Sequence, residues 1–197
     1  MKTISVTIQG LTPMLQHRFG EDAEIDGTKA ARSVTVIRGT PREEAEKVVY
    51  RTSEGAFYFP GTWLLGTMRN AGSNHKMRGS RKSAKFIVPA AVRIGEVEVL
   101  LRNGDGKSLV TDFEVDSRPI TIPSTKGRIM RHRPRFDCWS AQFSIVINDE
   151  ILPEEFVQQL LTEAGMQVGI GDFRPEKCGS FGTFRIVNWA PLNGKEN

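Results

Sequence analysis

One stretch constrains this chain more than any other: VGIGDFRPEKCGSFGTFRI, residues 168–186. It holds Gly169, Gly171, Gly179 and Gly182 within fourteen residues, with Arg174, Lys177, Arg185 and the rings of Phe173, Phe181 and Phe184 interleaved. So dense a run of glycine marks a backbone that turns sharply or lets something approach closely. The run FGTFRIVNW, residues 181–189, is β-branched and aromatic and reads as a strand. Bare amides, guanidinium charge and aromatic rings just before a strand suit a loop that contacts phosphates and bases. The same stretch also reads as a long hairpin loop whose glycines only satisfy turn geometry.

The rest of the chain bears on that choice through the distribution of its charge. The formal net charge over 197 residues is only +4, a weak argument for an anionic partner. The cations are gathered, however. Residues 69–85 carry Arg69, Lys76, Arg78, Arg81, Lys82 and Lys85 with no acid among them, and residues 126–135 carry Lys126, Arg128, Arg131, Arg133 and Arg135, again without one. Two such segments, read as loops, would grip phosphates in a strongly salt-dependent way; the plain alternative is two solvated loops. Arg131, Arg133 and Arg135 alternate and would point the same way on an extended chain, with Phe136 placed to stack on a base.

Cys138 and Cys178 are far apart and lack metal-ligand spacing. The N-terminus has no apolar signal-like core, and no apolar run reaches membrane length. The expectation is a reduced, cytoplasmic protein without membrane contact, metal or cofactor.

Along the chain, Ile4, Val6 and Ile8 alternate with polar residues as a half-buried strand over 2–9. Thr40-Pro41 followed by Glu43 and Glu44 opens a helix running to about Tyr50. A helix over 60–71 starts at Pro60-Gly61-Thr62 and stops at Gly72. Residues 86–101 read as strand material broken at Pro89 and Gly95, and 113–122 as a strand with Pro119 at an edge. Residues 138–147 form the clearest strand, with Trp139, Ala141, Phe143, Ile145 and Ile147 inward. A last helix over 153–164 ends at Gly165. The main order is β-α-β-β-α-β, an α+β ferredoxin-like or RNA-recognition-motif-like plan in a single domain. Residues 16–55 and 103–136 are insertions. Two helices on one face of an antiparallel sheet leave its other face free, the face on which RNA-recognition modules stack bases. Trp63, Trp139 and Cys138 are expected in the core, and Trp189 at an interface.

Two segments carry a family resemblance. FYFPGTWLLGTMRNAG, residues 57–72, resembles the "aromatic/Ile-Pro-Gly-small-x-Leu-x-Gly-x-x-Arg" segment of the RAMP superfamily, the RNA-recognition-motif-like subunits of CRISPR effector complexes, and stretch 169–182 resembles that family's glycine loop. The chain departs from the pattern at Thr62, Trp63 and Leu64, where the family usually has a second small residue and a Lys, and in carrying Asp172 and Glu176 inside the loop. The resemblance implies a backbone-type subunit. Gly61, Thr62 and Arg69 would lie against guide RNA, and Gly169, Gly171, Gly179 and Gly182 against RNA or a neighbouring subunit. Segments 73–85 and 126–135 would serve as thumb or finger, and copies would assemble along one strand as a ribonucleoprotein of antiviral defence.

The expected function is therefore binding of single-stranded nucleic acid, RNA or DNA, through phosphates. Arg69, Lys76, Arg78, Arg81, Lys82, Arg128, Arg131, Arg133, Arg135, Arg174 and Lys177 would supply charge, and Phe136 and Phe173 would supply stacking. Two alternatives stand beside it. One is a metal-independent endoribonuclease of the same fold using His17, His75, His132 or Asp26. The other is a self-assembling structural protein of a phage or mobile element.

Overall fold

The computed structural model describes residues 1–18, 39–77, 79, 81–121 and 126–192. The chain opens with β1 (Lys2–Gly10) and the short β2 (Met14–Leu15). Helix α1 (Pro41–Lys47) begins where the sequence predicts, because its start is chemically over-determined. The Thr40 hydroxyl accepts from the Glu43 amide, the Glu43 carboxylate accepts from the Thr40 amide at 2.7 Å, and Pro41 takes the first turn. β3 (Tyr58–Pro60) leads directly into α2 (Gly61–Ala71). The residues read as one strand over 86–101 divide instead into α3 (Val88–Ala91), β4 (Val92–Ile94) and β5 (Glu98–Asn103). Pro89 fits an early helical position, and Gly95 separates the two strands.

β6 (Glu114–Thr121) and β7 (Arg128–Phe136) follow, then β8 (Trp139–Ile147), α4 (Glu154–Glu163) and β9 (Phe184–Pro191). The fold is mixed α+β with antiparallel sheets. In the larger sheet the strand order is β3-β5-β8-β1-β9, with β4 pairing the far end of β8. Ile4, Val6 and Ile8 lie opposite Ile145, Phe143 and Ala141, and all six are buried. On α2 Leu64, Met68 and Ala71 are buried, and on α4 Val157, Leu160 and Leu161. The other face of the two central strands presents Ser5, Thr7 and Gln9 beside Ser144, Gln142 and Ser140. It carries hydroxyls and amides and no aromatic ring, so it lacks the stacking platform expected of a base-reading sheet.

Helix α4 runs past Gly165 through a wider π turn at Ala164–Val168 and stops at Gly169, whose φ is +71°. Gly165 is instead a packing position, since a Cβ there would strike the carbonyl of Phe184. The segment expected to be a basic loop, 126–135, is a strand. β7 pairs with β6 from Arg128↔Thr121 to Arg135↔Glu114, and with β2 on its other side, forming a second sheet. Phe57, Phe113 and Phe136 pack edge to face below it, with centroids 5.2–6.1 Å apart, and join the same buried cluster as the larger sheet. Cys138, expected inside, is exposed, because it sits in the two-residue corner where the chain passes from β7 to β8. Trp139 is core, Trp63 is half-buried against Phe59, and Trp189 is half-buried with its indole N–H donating to Glu154 at 3.0 Å. None of the helices among the described residues is long and apolar enough to cross a membrane.

Candidate functional site

The two segments singled out in the sequence face each other across a cleft of about 330 Å³. Positions three and four apart on a helix share a face, so Thr62, Trp63, Gly66, Thr67 and Asn70 of α2 form one wall. Ile170, Gly171, Asp172 and Arg174 form the other, with His17 and Tyr50 at the side. Thr67 ties the walls together by donating to the carbonyl of Gly169 at 3.1 Å, and Asn70 donates to Glu176 at 2.7 Å. Beneath His17, the buried Gln16 amide donates to the carbonyl of Tyr58 and accepts from the Tyr50 amide.

The glycines of the loop serve the chain's own backbone. Gly169, Gly171 and Gly182 have φ between +71° and +79°, a region that costs other residues strain. A Cβ on Gly179 would fall on the carbonyl of Phe173, and one on Gly182 on that of Ile170. Three of the four amides are occupied as well: Gly169 donates to Ala164, Gly179 to Arg174 and Gly182 to Pro13, at 2.8–3.0 Å. Gly61, expected against RNA, is buried; its amide donates to Val97 and a Cβ would strike the carbonyl of Glu96.

The cations divide into two groups. Arg69 on the last turn of α2, Lys76 and Arg81 in the segment after it, Arg128 and Arg131 on β7, and Lys177 are exposed and have no ion-pair partner among the described residues. Lys82 is exposed beside Arg81. The second group is already engaged. Arg133, only 8% exposed, has its Nε 2.6 Å from the carboxylate of Asp172, so it is a structural pair and not a phosphate clamp. Arg135 is half-buried and paired with Asp137, which raises its pKa. Arg174 donates to the carbonyl of Gly171 and to Glu176. Phe136, at 3% exposure, is core and offers no face to a base. Asp26 and Arg78 lie outside the described residues.

The histidines separate in the same way. His75 lies 2.6 Å from Glu163, and His132 shares a 2.7 Å hydrogen bond with Ser117. Both join parts of the fold. His17 stands at the cleft; desolvation by its walls lowers its pKa, with Arg131 and Arg133 adding to the effect and Asp172 opposing it. The shift favours its neutral imidazole form. Tyr50 is held phenolic, its pKa raised by burial.

Phe173 is 38% exposed with φ +50°, and the Arg118 guanidinium lies 5.8 Å from its ring centroid and 4.6 Å from that of Phe181. Sequence reading missed Arg118, Tyr50 and Asn70. Asn70 alone carried a signal, standing eight residues after Thr62 on the same helical face. Among the described residues no cluster of three His, Cys, Asp or Glu side chains could hold a metal ion. No protein-family model matches the chain, and no curated protein matches it.

Proposed function

We propose that this protein binds single-stranded nucleic acid, RNA in the first place, through its phosphodiester backbone, as a RAMP-type subunit with a ferredoxin-like core that associates with further copies. The strand order β5-β8-β1-β9, with α2 and α4 as the crossovers, is compatible with that core. One observation carries the reading. Two exposed cations on separate elements stand next to residues of the cleft between α2 and the glycine loop: Arg69 precedes Asn70 on the helix, and Arg131 is close enough to His17 to act on its charge. Thr62 and Asn70 offer neutral donors inside it.

The test is fluorescence anisotropy with a 30-nucleotide single-stranded RNA, titrated against salt and compared with the duplex. Tight binding whose log-log salt slope is about −0.7 per phosphate gripped is expected. Arg131→Ala should weaken it across all sequences and flatten the slope by about 0.7. Weak binding indifferent to salt or to strandedness refutes the proposal.

A second reading is supported by His17. A neutral imidazole at the mouth of a cleft can accept the proton of a 2′-hydroxyl, as an endoribonuclease would require. RNA cleavage without metal, abolished in His17→Ala while binding persists, selects it. Intact RNA after prolonged incubation removes it.

A further inference from the structure

We propose that Phe86, with the cationic turn that carries it, is a stacking contact for a base of single-stranded nucleic acid, separate from the cleft. The inference rests on the RNA-binding reading above and adds to it a site that makes contact with bases rather than phosphates.

Phe86 is 70% exposed, the most solvent-open aromatic ring among the described residues. A single exposed apolar side chain is unremarkable by itself; its mounting and its surroundings distinguish this one. It ends a tight turn, Ala84–Phe86, capped by the Ser83 hydroxyl and closed by the Phe86 amide donating to the carbonyl of Ser83 at 3.2 Å. Ser83 also donates to the carbonyl of Gly72 at 2.7 Å, and the Ala84 amide donates to that of His75 at 2.9 Å. The turn is pressed so closely on the end of α2 that a Cβ on Gly72 would stand 3.0 Å from the amide of Lys85. The next residues meet the apolar demand of the core: Val88 is buried and Ile87 partly so. The ring is therefore held outward on a pinned backbone and gives up little further freedom on stacking.

Its electrostatic setting favours a polyanion over a protein. From Gly55 to Gly95 the chain has no Asp or Glu, yet it carries Arg69, Lys76, Arg78, Arg81, Lys82, Lys85 and Arg93. Two acids that reach this region from elsewhere among the described residues are occupied, Glu163 by His75 and Gln159, and Glu176 by Asn70 and Arg174. An aromatic plane on a segment rich in cations and without acids of its own is the combination that single-strand binders use, rings for the bases and charge for the backbone.

The experiment separates bases from phosphates. Wild-type protein, Phe86→Ala and Phe86→Trp are titrated with fluorescein-labelled oligouridylate of 30 nucleotides and with an abasic phosphodiester chain of the same length. Phe86→Ala should weaken oligouridylate binding about five- to hundredfold, while affinity for the abasic chain and the salt slope stay as in wild type. Phe86→Trp should restore affinity, and its added emission should be quenched on binding. Equal binding of oligouridylate by Phe86→Ala and wild type overturns the inference, as does an equal loss for both chains. A changed sedimentation coefficient in Phe86→Ala with unchanged RNA affinity makes the ring a protein contact and also overturns it. Wild-type protein that binds neither chain defeats the RNA-binding reading itself, a result distinct from the others.

Discussion

Gly66→Ala separates what the fold needs from what a ligand would need. Gly66 lies inside α2 on the cleft wall, its φ is not positive, and a Cβ built on it meets nothing within 4 Å. Glycine in a helix interior is about 1 kcal/mol less favourable than alanine. Nothing in the surrounding packing opposes the change, so the variant should gain about 1 kcal/mol. For a chain of this length that raises Tm by roughly 2–4 °C. The same methyl enters the cleft. If a sugar-phosphate backbone lies against this face of the helix, the methyl displaces it from hydrogen-bonding distance of Thr62 or Asn70. One such bond is worth about 1 kcal/mol net, roughly fivefold in affinity. Scanning calorimetry and RNA anisotropy on the same preparation read both effects. A stabler protein with unchanged RNA affinity would refute close approach at the helical wall. A destabilised protein would refute the reading that Gly66 is free of a structural role.

Gly182→Ala should behave in the opposite way, losing about 3 kcal/mol or more, because it combines a φ of +74° with a collision at the carbonyl of Ile170; near-normal Tm would contradict this. Asp172→Ala strips the buried guanidinium of Arg133 of its counter-charge and should cost about 2 kcal/mol, less than a fully buried pair because Asp172 is itself partly exposed. Chemical denaturation checks this, and adding Arg133→Met should recover part of the loss. Glu154 accepts from the Trp189 indole and from Lys2, which together lower its pKa in the folded state. Its contribution is therefore present above the unfolded value of about 4.3 and is lost as pH falls through the lower folded value. Tm followed from pH 6 to pH 3 should accordingly fall less steeply in Glu154→Gln than in wild type; parallel curves would refute the assignment.

Where the physics is local, the fold is legible in the sequence. The alternation of β1 and β8, the capping box of α1, and the starts of α2 and α4 depend on neighbours in the chain. What escapes is set by distant partners. RIMRHRPRF has no hydrophobic period, yet it is a strand because β6 offers it a register of eight residues. Arg131, Arg133 and Arg135 do alternate, but only the sequence-remote Asp172 shows that Arg133 is a buried pair. Phe136 looked available because the rings that enclose it, Phe57 and Phe113, come from other elements. The two cleft walls were both visible as motifs. Their meeting, made by Thr67 and Asn70, was not.

The glycine loop can now be assigned a physical role that narrows how any anion would be held. It touches β2 through the Asp172 amide on Leu15, β7 through Arg133, β6 through Arg118 over Phe181, and α2 through Thr67 and Asn70. It is the joint between the two sheets and the helical layer. A phosphate-binding nest needs amides pointing at open space, and those of Gly169, Gly179 and Gly182 point at protein carbonyls. On the proposed reading, charge recognition would then fall chiefly to side chains, Arg131 beside His17 and Arg69 beside Asn70, with Thr62 and Asn70 inside the cleft. Side-chain recognition of this kind is salt-sensitive and tolerant of sequence, because it reads phosphate spacing and no base edge. Any preference among bases would then have to arise at the rings that remain exposed, Phe86 away from the loop and Phe173 within it.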